Sequence, residues 1–239
     1  VPQGGVRVSY LLATGSVQGR EHARLFRNNQ DGVCARIDGS LAVAVVTDGC
    51  GSGADSEVGA RLGARFLAQH VPSLARTTPV GPELADKALE ALVGWMRTVV
   101  AGLDEGAIAD QWLFTVLCAV MDEKTSLIFG VGDGVWRADG VGRVLEAGEK
   151  NAPDYPGYRL VPALGEKTGV PVVHFCGEAK SVSIATDGLA HASGILDGLH
   201  DDGLIWRNPM SLQRRLRVLA DRDRLLHDDT TVALLKRGA

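Results

Sequence analysis

The sequence predicts an α+β fold: two β-sheets packed face to face, with helices on the outside. Three observations predict it. Short apolar runs of strand length fall into two blocks, two long stretches of helical periodicity separate those blocks, and Gly- or Asp-containing turns divide most runs from the next. The runs do not alternate regularly with helices, which disfavours a parallel doubly wound sheet.

In chain order, residues 6–13, 33–37 and 41–47 read as strands, with Asp38-Gly39 as the hairpin turn between the last two. From 56 to 70 the positions Val58, Leu62, Phe66 and Ala60, Gly63, Leu67 recur at helical spacing, which predicts a helix packed on a sheet. A second helix over 82–100 carries Leu84, Ala88, Leu92, Trp95 and Val99, and Pro82 suits its first turn, where a missing N–H costs nothing. Strands follow at 113–121, 126–131, 135–138, 141–145, 170–175 and 181–185; a helix over 209–220 and a strand over 231–236 close the pattern. The stretch 146–169, with Pro153, Pro156 and Pro162, reads as a long loop that either contributes to function or simply connects two strands. With one sizeable core expected for 239 residues, the simplest organisation is a single domain over 1–239.

Composition narrows the function classes. A net charge of −4 with interleaved signs offers no basic face to nucleic acid, and no apolar run approaches the roughly 20 residues that cross a bilayer. Neither nucleic acid nor membrane is an expected partner. Cys34, Cys50, Cys118 and Cys176 are widely spaced and include no C-x-x-C pair, which argues against structural zinc and fits a reducing cytoplasm.

The chemistry lies in aspartates at strand boundaries. Leu41–Val46 runs into Thr47-Asp48-Gly49-Cys50-Gly51, Val182–Ala185 runs into Thr186-Asp187-Gly188, and Asp228-Asp229-Thr230-Thr231 leads into a final apolar run. Asp133 follows Leu127-Ile128-Phe129 within Gly130-Val131-Gly132-Asp133-Gly134, and Asp31 in Asn28-Asn29-Gln30-Asp31 precedes Val33-Cys34-Ala35. Any single Asp-Gly is an ordinary turn. Five carboxylates converging from strand ends would repel one another unless a cation sat among them, so a carboxylate-bound divalent metal site is expected.

The order Asn-Gln-Asp, Asp-Gly-x-Gly, a Thr in an apolar run, Gly-Asp-Gly, Thr-Asp-Gly and Asp-Asp-x-Thr resembles the metal-dependent protein phosphatases of type 2C, in a compact bacterial-like variant. The resemblance runs from about residue 19 to residue 235. It implies a four-layer α-β-β-α sandwich and a Ser/Thr phosphatase that acts on phosphorylated proteins, opposing a Ser/Thr kinase. It also implies two Mg²⁺ or Mn²⁺ ions that activate a water, with all-oxygen ligation. By that resemblance Asp48 lies between the ions, Gly49 offers its carbonyl to one, and Asp187 and Asp228 hold the other. Asp133 resembles the residue that recruits a third ion. Asp31 accepts from waters around the ions, with Gln30 and Thr115 beside it, and Asp229 matters less than Asp228.

Several positions depart from the family pattern. Cys50 stands where many members have the His thought to protonate the leaving alcohol, and it is either a proton donor or a packing residue. Gln30 replaces a Glu. Phe26 occupies the usual position of the phosphate-binding Arg, so Arg27 is the leading candidate, with Arg24 and then Arg20 behind it. His22 is either a proton donor or an ordinary surface residue. The resemblance puts a flap beside the site at this point of the chain, where Tyr155, Tyr158 and Arg159 would touch a phosphopeptide, unless the loop merely connects two strands. A second reading, a pseudophosphatase that serves as a regulatory binding module, is favoured by the lost His and shifted Arg and opposed by the retained Asp48, Asp187 and Asp228.

Overall fold

The structure is a computed structural model that describes residues 9–148, 152–161, 163 and 168–238. Ten strands form two five-stranded sheets among the described residues. The first sheet contains β2 (Asp31–Asp38), β3 (Leu41–Asp48), β4 (Val116–Met121), β5 (Ser126–Val131) and β8 (Val172–Gly177), in the order β2-β3-β4-β5-β8. The second contains β1 (Tyr10–Val17), β6 (Gly134–Ala138), β7 (Val141–Leu145), β9 (Ser181–Ala185) and β10 (Thr230–Arg237), in the order β1-β10-β9-β6-β7. All neighbours are antiparallel.

Strand alternation builds three apolar layers. Ala42, Ala44 and Val46 of β3 meet Val182 and Ile184 of β9 and Ala233 and Leu235 of β10 between the sheets. Val43 and Val45 face the other way, onto helices α2 (Glu57–Leu74) and α3 (Pro82–Val99), through Ala60, Ala64, Leu67 and Leu92. Val232 and Leu234 pack on Leu196, Leu199, Ile205, Leu212 and Leu216 of α5 (Gly194–Asp201), α6 (Gly203–Arg207) and α7 (Met210–Arg217). The result is a helix-sheet-sheet-helix stack. Because both faces of the central strands are covered, they read as continuous apolar runs rather than alternating ones.

Differences from the sequence reading have local causes. β1 extends to Val17, beyond the expected end at Ala13, because Thr14-Gly15-Ser16 is strand and not turn. Gly15 lets α7 approach closely: a Cβ there would lie 2.8 Å from Leu216 Cδ1, while Gln213 bonds both the N–H and the C=O of Ser16 at 2.9 Å. The first part of the expected strand 6–13, residues 6–8, lies outside the described residues. The strand expected over 113–121 starts at Val116, after α4 (Glu105–Trp112), whose N-cap Asp104 accepts from Ala107 N–H at 2.8 Å. The helix expected over 209–220 is α7 followed by a π-helical turn, Val218–Arg222. Within the described part of the long loop, Pro156–Arg159 forms a 3₁₀ turn, and Pro162 lies outside the described residues.

Candidate metal centre

Strand register brings the aspartates to one end of the sandwich. In the first sheet Asp31 opens β2 and Asp48 closes β3, and antiparallel pairing sets them opposite each other. In the second sheet β9 ends before Thr186-Asp187, and Asp228-Asp229 leads into β10; Thr186 N–H extends that ladder to Thr231 C=O at 3.0 Å. Thr186 ties the sheets together. Its Oγ1 donates to Asp31 Oδ2 at 2.8 Å and accepts from Thr231 N–H at 2.9 Å. Asp133 enters from the β5–β6 turn, where Gly132 and Gly134 hold φ of 97° and 135°. A side chain at Gly132 would be strained at that φ and would crowd Thr115, with Cγ2 2.7 Å from its Cβ. Thr115 in turn accepts from Asp48 N–H through Oγ1 at 3.2 Å and donates its own N–H to Asp48 C=O at 2.8 Å.

Three of these carboxyls are disturbed by burial and by their neighbours. Desolvation, followed by the charges of Asp31, Asp187, Asp133 and Asp228, pushes Asp48 well above the usual carboxylate range. Asp31 is pushed up to about 8 by burial and then by Asp229, and Asp187 is raised by burial and then by Asp228. A raised pKa in each means that the protein alone does not neutralise this charge. Asp31 Oδ1 and Gln30 Oε1 are also buried with no hydrogen-bond partner. Hard oxygen donors with uncompensated charge fit Mg²⁺ or Mn²⁺ and do not resemble a thiolate or imidazole zinc cage. Gly49 is packed against the β2 side, its N–H donating to Gln30 C=O at 3.2 Å.

A cavity of about 370 Å³ opens on this centre, lined by Asp187, Asp228, His22, Arg27, His191 and His227 among others. Arg27 reaches it from the end of the short helix α1 (Arg20–Arg24). Arg27 N–H bonds back to His22 C=O at 3.0 Å and Phe26 N–H to Ala23 C=O at 3.4 Å, a Schellman-type helix end. Its left-handed position is Phe26, at φ 56°, where glycine is usual. The helix end reverses the chain and holds the Arg27 guanidinium with Nη1 2.6 Å from Gly51 C=O, in the loop after Asp48. Arg24 is instead exposed and paired with Glu21 at 2.9 Å, and Arg20 is exposed.

A second cavity of about 530 Å³ lies on the other side of the Asp48 turn, lined by Cys50, Ser52, Asp110, Leu113, Tyr155 and Tyr158. Cys50 Sγ is 3.1 Å from Ser52 Oγ. Tyr155 is buried in the wall, which raises its phenol, with Cys50 adding to the shift. Arg159 points away, pairing with Glu90 of α3 at 2.8 Å.

The residue underrated in the sequence is Asp229. It is 3 % exposed, and its carboxylate accepts from Gly19 N–H at 2.7 Å and Gln30 N–H at 2.6 Å, with His22 Nδ1 2.7 Å from Oδ2. Asp229 therefore joins α1, the approach to β2 and the start of β10. Neighbouring residues at a strand entry face opposite ways, so of Asp228-Asp229 one had to point inward. That alternation was the available signal. One ligand atom each from His22, Asp228 and Asp229 can lie within 4.8 Å of one another, a group able to hold a metal ion.

A sequence model described as Protein phosphatase 2C matches residues 18–228. The chain belongs to the protein phosphatase 2C family. Among solved structures it is similar to the catalytic domain of the serine/threonine protein phosphatase PstP in complex with two manganese ions, at 17 % identity over 97 % of this chain and 100 % of that one, with a TM-score of 0.62. It is also similar to the serine/threonine phosphatase Stp1 from Staphylococcus aureus, at 13 % identity over 100 % of both chains and a TM-score of 0.64. A C. elegans sex determining protein shares the fold at 13 % identity and a TM-score of 0.65, over 98 % of this chain and 66 % of that one. No curated protein sequence matches. No helix among the described residues is long and apolar enough to cross a membrane.

Proposed function

We propose that this chain hydrolyses phosphoserine and phosphothreonine in proteins with the help of two Mg²⁺ or Mn²⁺ ions, opposing a Ser/Thr kinase in the cytoplasm. The observation that carries the reading is the set of carboxylates at converging strand ends, with Asp48 raised by burial and then by the charges of the other four. Asp48, the Gly49 carbonyl, Asp187 and Asp228 would hold the two ions, and Asp133 would offer a place for a third. When bound, such ions neutralise phosphoryl oxygens and lower the pKa of a water they hold. Asp31, anchored by Thr186, and Gln30 accept hydrogen bonds from waters around them, and Thr115 fixes the Asp48 backbone.

Arg27 grips the phosphoryl group. Its guanidinium lines the same cavity as Asp187 and Asp228 and can present two parallel N–H donors to phosphate oxygens. With Arg24 held by Glu21 on the exposed side of α1, Arg27 is the arginine to test first.

The test is hydrolysis of p-nitrophenyl phosphate and of a phosphothreonine peptide in Mn²⁺, in Mg²⁺ and in EDTA. Turnover of both substrates with either ion and none in EDTA is expected. Cys50, in place of the usual His, favours the second reading of a regulatory binding module; a folded protein that binds a phosphopeptide but turns over neither substrate would establish it.

A further inference from the structure

Breaking a phosphoserine or phosphothreonine ester expels an alkoxide, a far poorer leaving group than p-nitrophenolate, so a proton donor near the departing oxygen is worth about 10²–10⁴-fold. Cys50 is not built for this task. Its thiol faces Ser52 and lines the cavity of Tyr155 and Tyr158, and among the described residues no charged partner holds it. We propose that His22, oriented by Asp229, delivers that proton, and so takes a catalytic role in the reaction proposed above.

The geometry is that of a carboxylate–histidine pair. His22 Nδ1 lies 2.7 Å from Asp229 Oδ2, and Asp229 is itself fixed by two backbone N–H groups, from Gly19 and Gln30. A carboxylate held this way fixes the ring orientation, and with Nδ1 occupied the other ring nitrogen, Nε2, is the one left for substrate. The imidazole is only 13 % exposed and lines the cavity that also holds Asp187, Asp228 and Arg27. Arg27 is tied to it directly, since the Arg27 N–H donates to the His22 carbonyl. Proton donor and phosphate grip therefore share one helix end. Asp229 already accepts three hydrogen bonds, which suits a scaffold carboxylate better than an ion ligand.

The step balances simply. A water oxygen uses its electron pair to form the new P–O bond, and the P–Oγ bond breaks with its pair remaining on Oγ. The Nε2 proton of His22 moves to Oγ and gives the serine or threonine hydroxyl. The attacking water loses its surplus proton to solvent, and the imidazole is reprotonated from solvent.

The experiment compares the wild type with His22→Gln and His22→Ala on a phosphothreonine peptide and on p-nitrophenyl phosphate in Mn²⁺, with Mn²⁺ affinity measured by calorimetry and the melting temperature recorded. The expected result is a loss of about 10²-fold or more in kcat on the peptide, with p-nitrophenyl phosphate much less affected and Mn²⁺ affinity unchanged. Imidazole added to His22→Ala should restore part of the peptide activity alone. For the wild type, kcat across a series of aryl and alkyl phosphates should depend only weakly on leaving-group pKa, a measurement that does not require a folded variant. Equal losses on both substrates, no loss on the peptide, or a steep leaving-group dependence in the wild type would overturn the role of His22. A wild type inactive on both substrates would instead overturn the phosphatase reading, and this inference with it.

Discussion

Strand β9 has a polar cluster at each end, and the two are opposites. At its start, Ser181 Oγ lies 2.7 Å from His200 Nε2 and donates to Asp139 Oδ1 at 3.0 Å, and Ser183 Oγ contacts His200 Nδ1. Asp139 also accepts the N–H groups of Lys180 and Ser181, and its carboxyl falls below the ordinary range despite a burial cost. His200 is held neutral, chiefly by burial, and its carbonyl accepts from Trp206 Nε1 at 2.7 Å. At the far end Asp187 joins Asp31 and Asp48, all with raised carboxyls, beside a buried oxygen of Asp31 that has no partner. A His-Ser-Asp grouping is thus no sign of chemistry when every polar atom is spoken for. Unbalanced charge at a strand end marks the place that needs a ligand.

The sharpest way to break this contrast is Asp48→Asn. It should abolish metal-dependent turnover while the protein stays folded, and in EDTA its melting temperature should equal or exceed that of the wild type, because one member of a repelling set has lost its charge. A large drop in melting temperature in EDTA would mean that the carboxylate serves the fold.

His200→Ala should do the reverse. It strands the buried Ser183 hydroxyl, at about 1–3 kcal/mol, while Ser181 keeps Asp139, so the melting temperature should fall by roughly 2–12 °C while the activity per folded molecule is retained. Thermal unfolding and turnover on the same preparation would decide; lost activity with unchanged stability would reverse the assignment of the two clusters.

Metal removal probes the open cluster by pH. With carboxyl pKa values raised in the fold, the metal-free folded protein keeps protons that the unfolded chain gives up near pH 4. Its stability therefore falls as pH rises through the folded values, to about 8 for Asp31. Bound ions replace those protons. At about 100 times the dissociation constant, Mn²⁺ should raise the melting temperature by roughly 5–10 °C at pH 8 and by less at pH 5. A shift independent of pH would separate ion binding from these carboxyls.

The smallest effect concerns Phe26, 97 % exposed at a left-handed φ beside the open cluster. Phe26→Gly should stabilise the helix end by about 1 kcal/mol, as measured by urea unfolding, without displacing Arg27. A rise in KM with unchanged stability would show that the aromatic ring itself contacts substrate.

Much of the fold was legible because the central strands are buried on both faces and are bounded by Gly or Asp turns: β5 and β9 begin and end where expected, as does the exposed edge strand β7. The short helices α1, α4, α5 and α6 were not, since five to eight residues carry too little periodicity and their stability comes from tertiary packing. At the centre, the aspartate turns could be read, because a carboxylate at the boundary of an apolar run has few bland explanations when repeated five times. The partnership of His22 with Asp229 could not, since it spans 207 residues and depends on which of two adjacent aspartates faces inward. The place of Arg27 depended on one backbone angle, at Phe26, which no propensity favours.

The central claim is that the carboxylates around Asp48 form a site for divalent cations, and calorimetric titration of the EDTA-stripped protein with Mn²⁺ tests it most directly. Two bound ions per chain for the wild type, with the stoichiometry reduced or the affinity at least about tenfold weaker in Asp48→Asn, is the predicted result. No heat of binding in the wild type, or the same isotherm in Asp48→Asn, would contradict it.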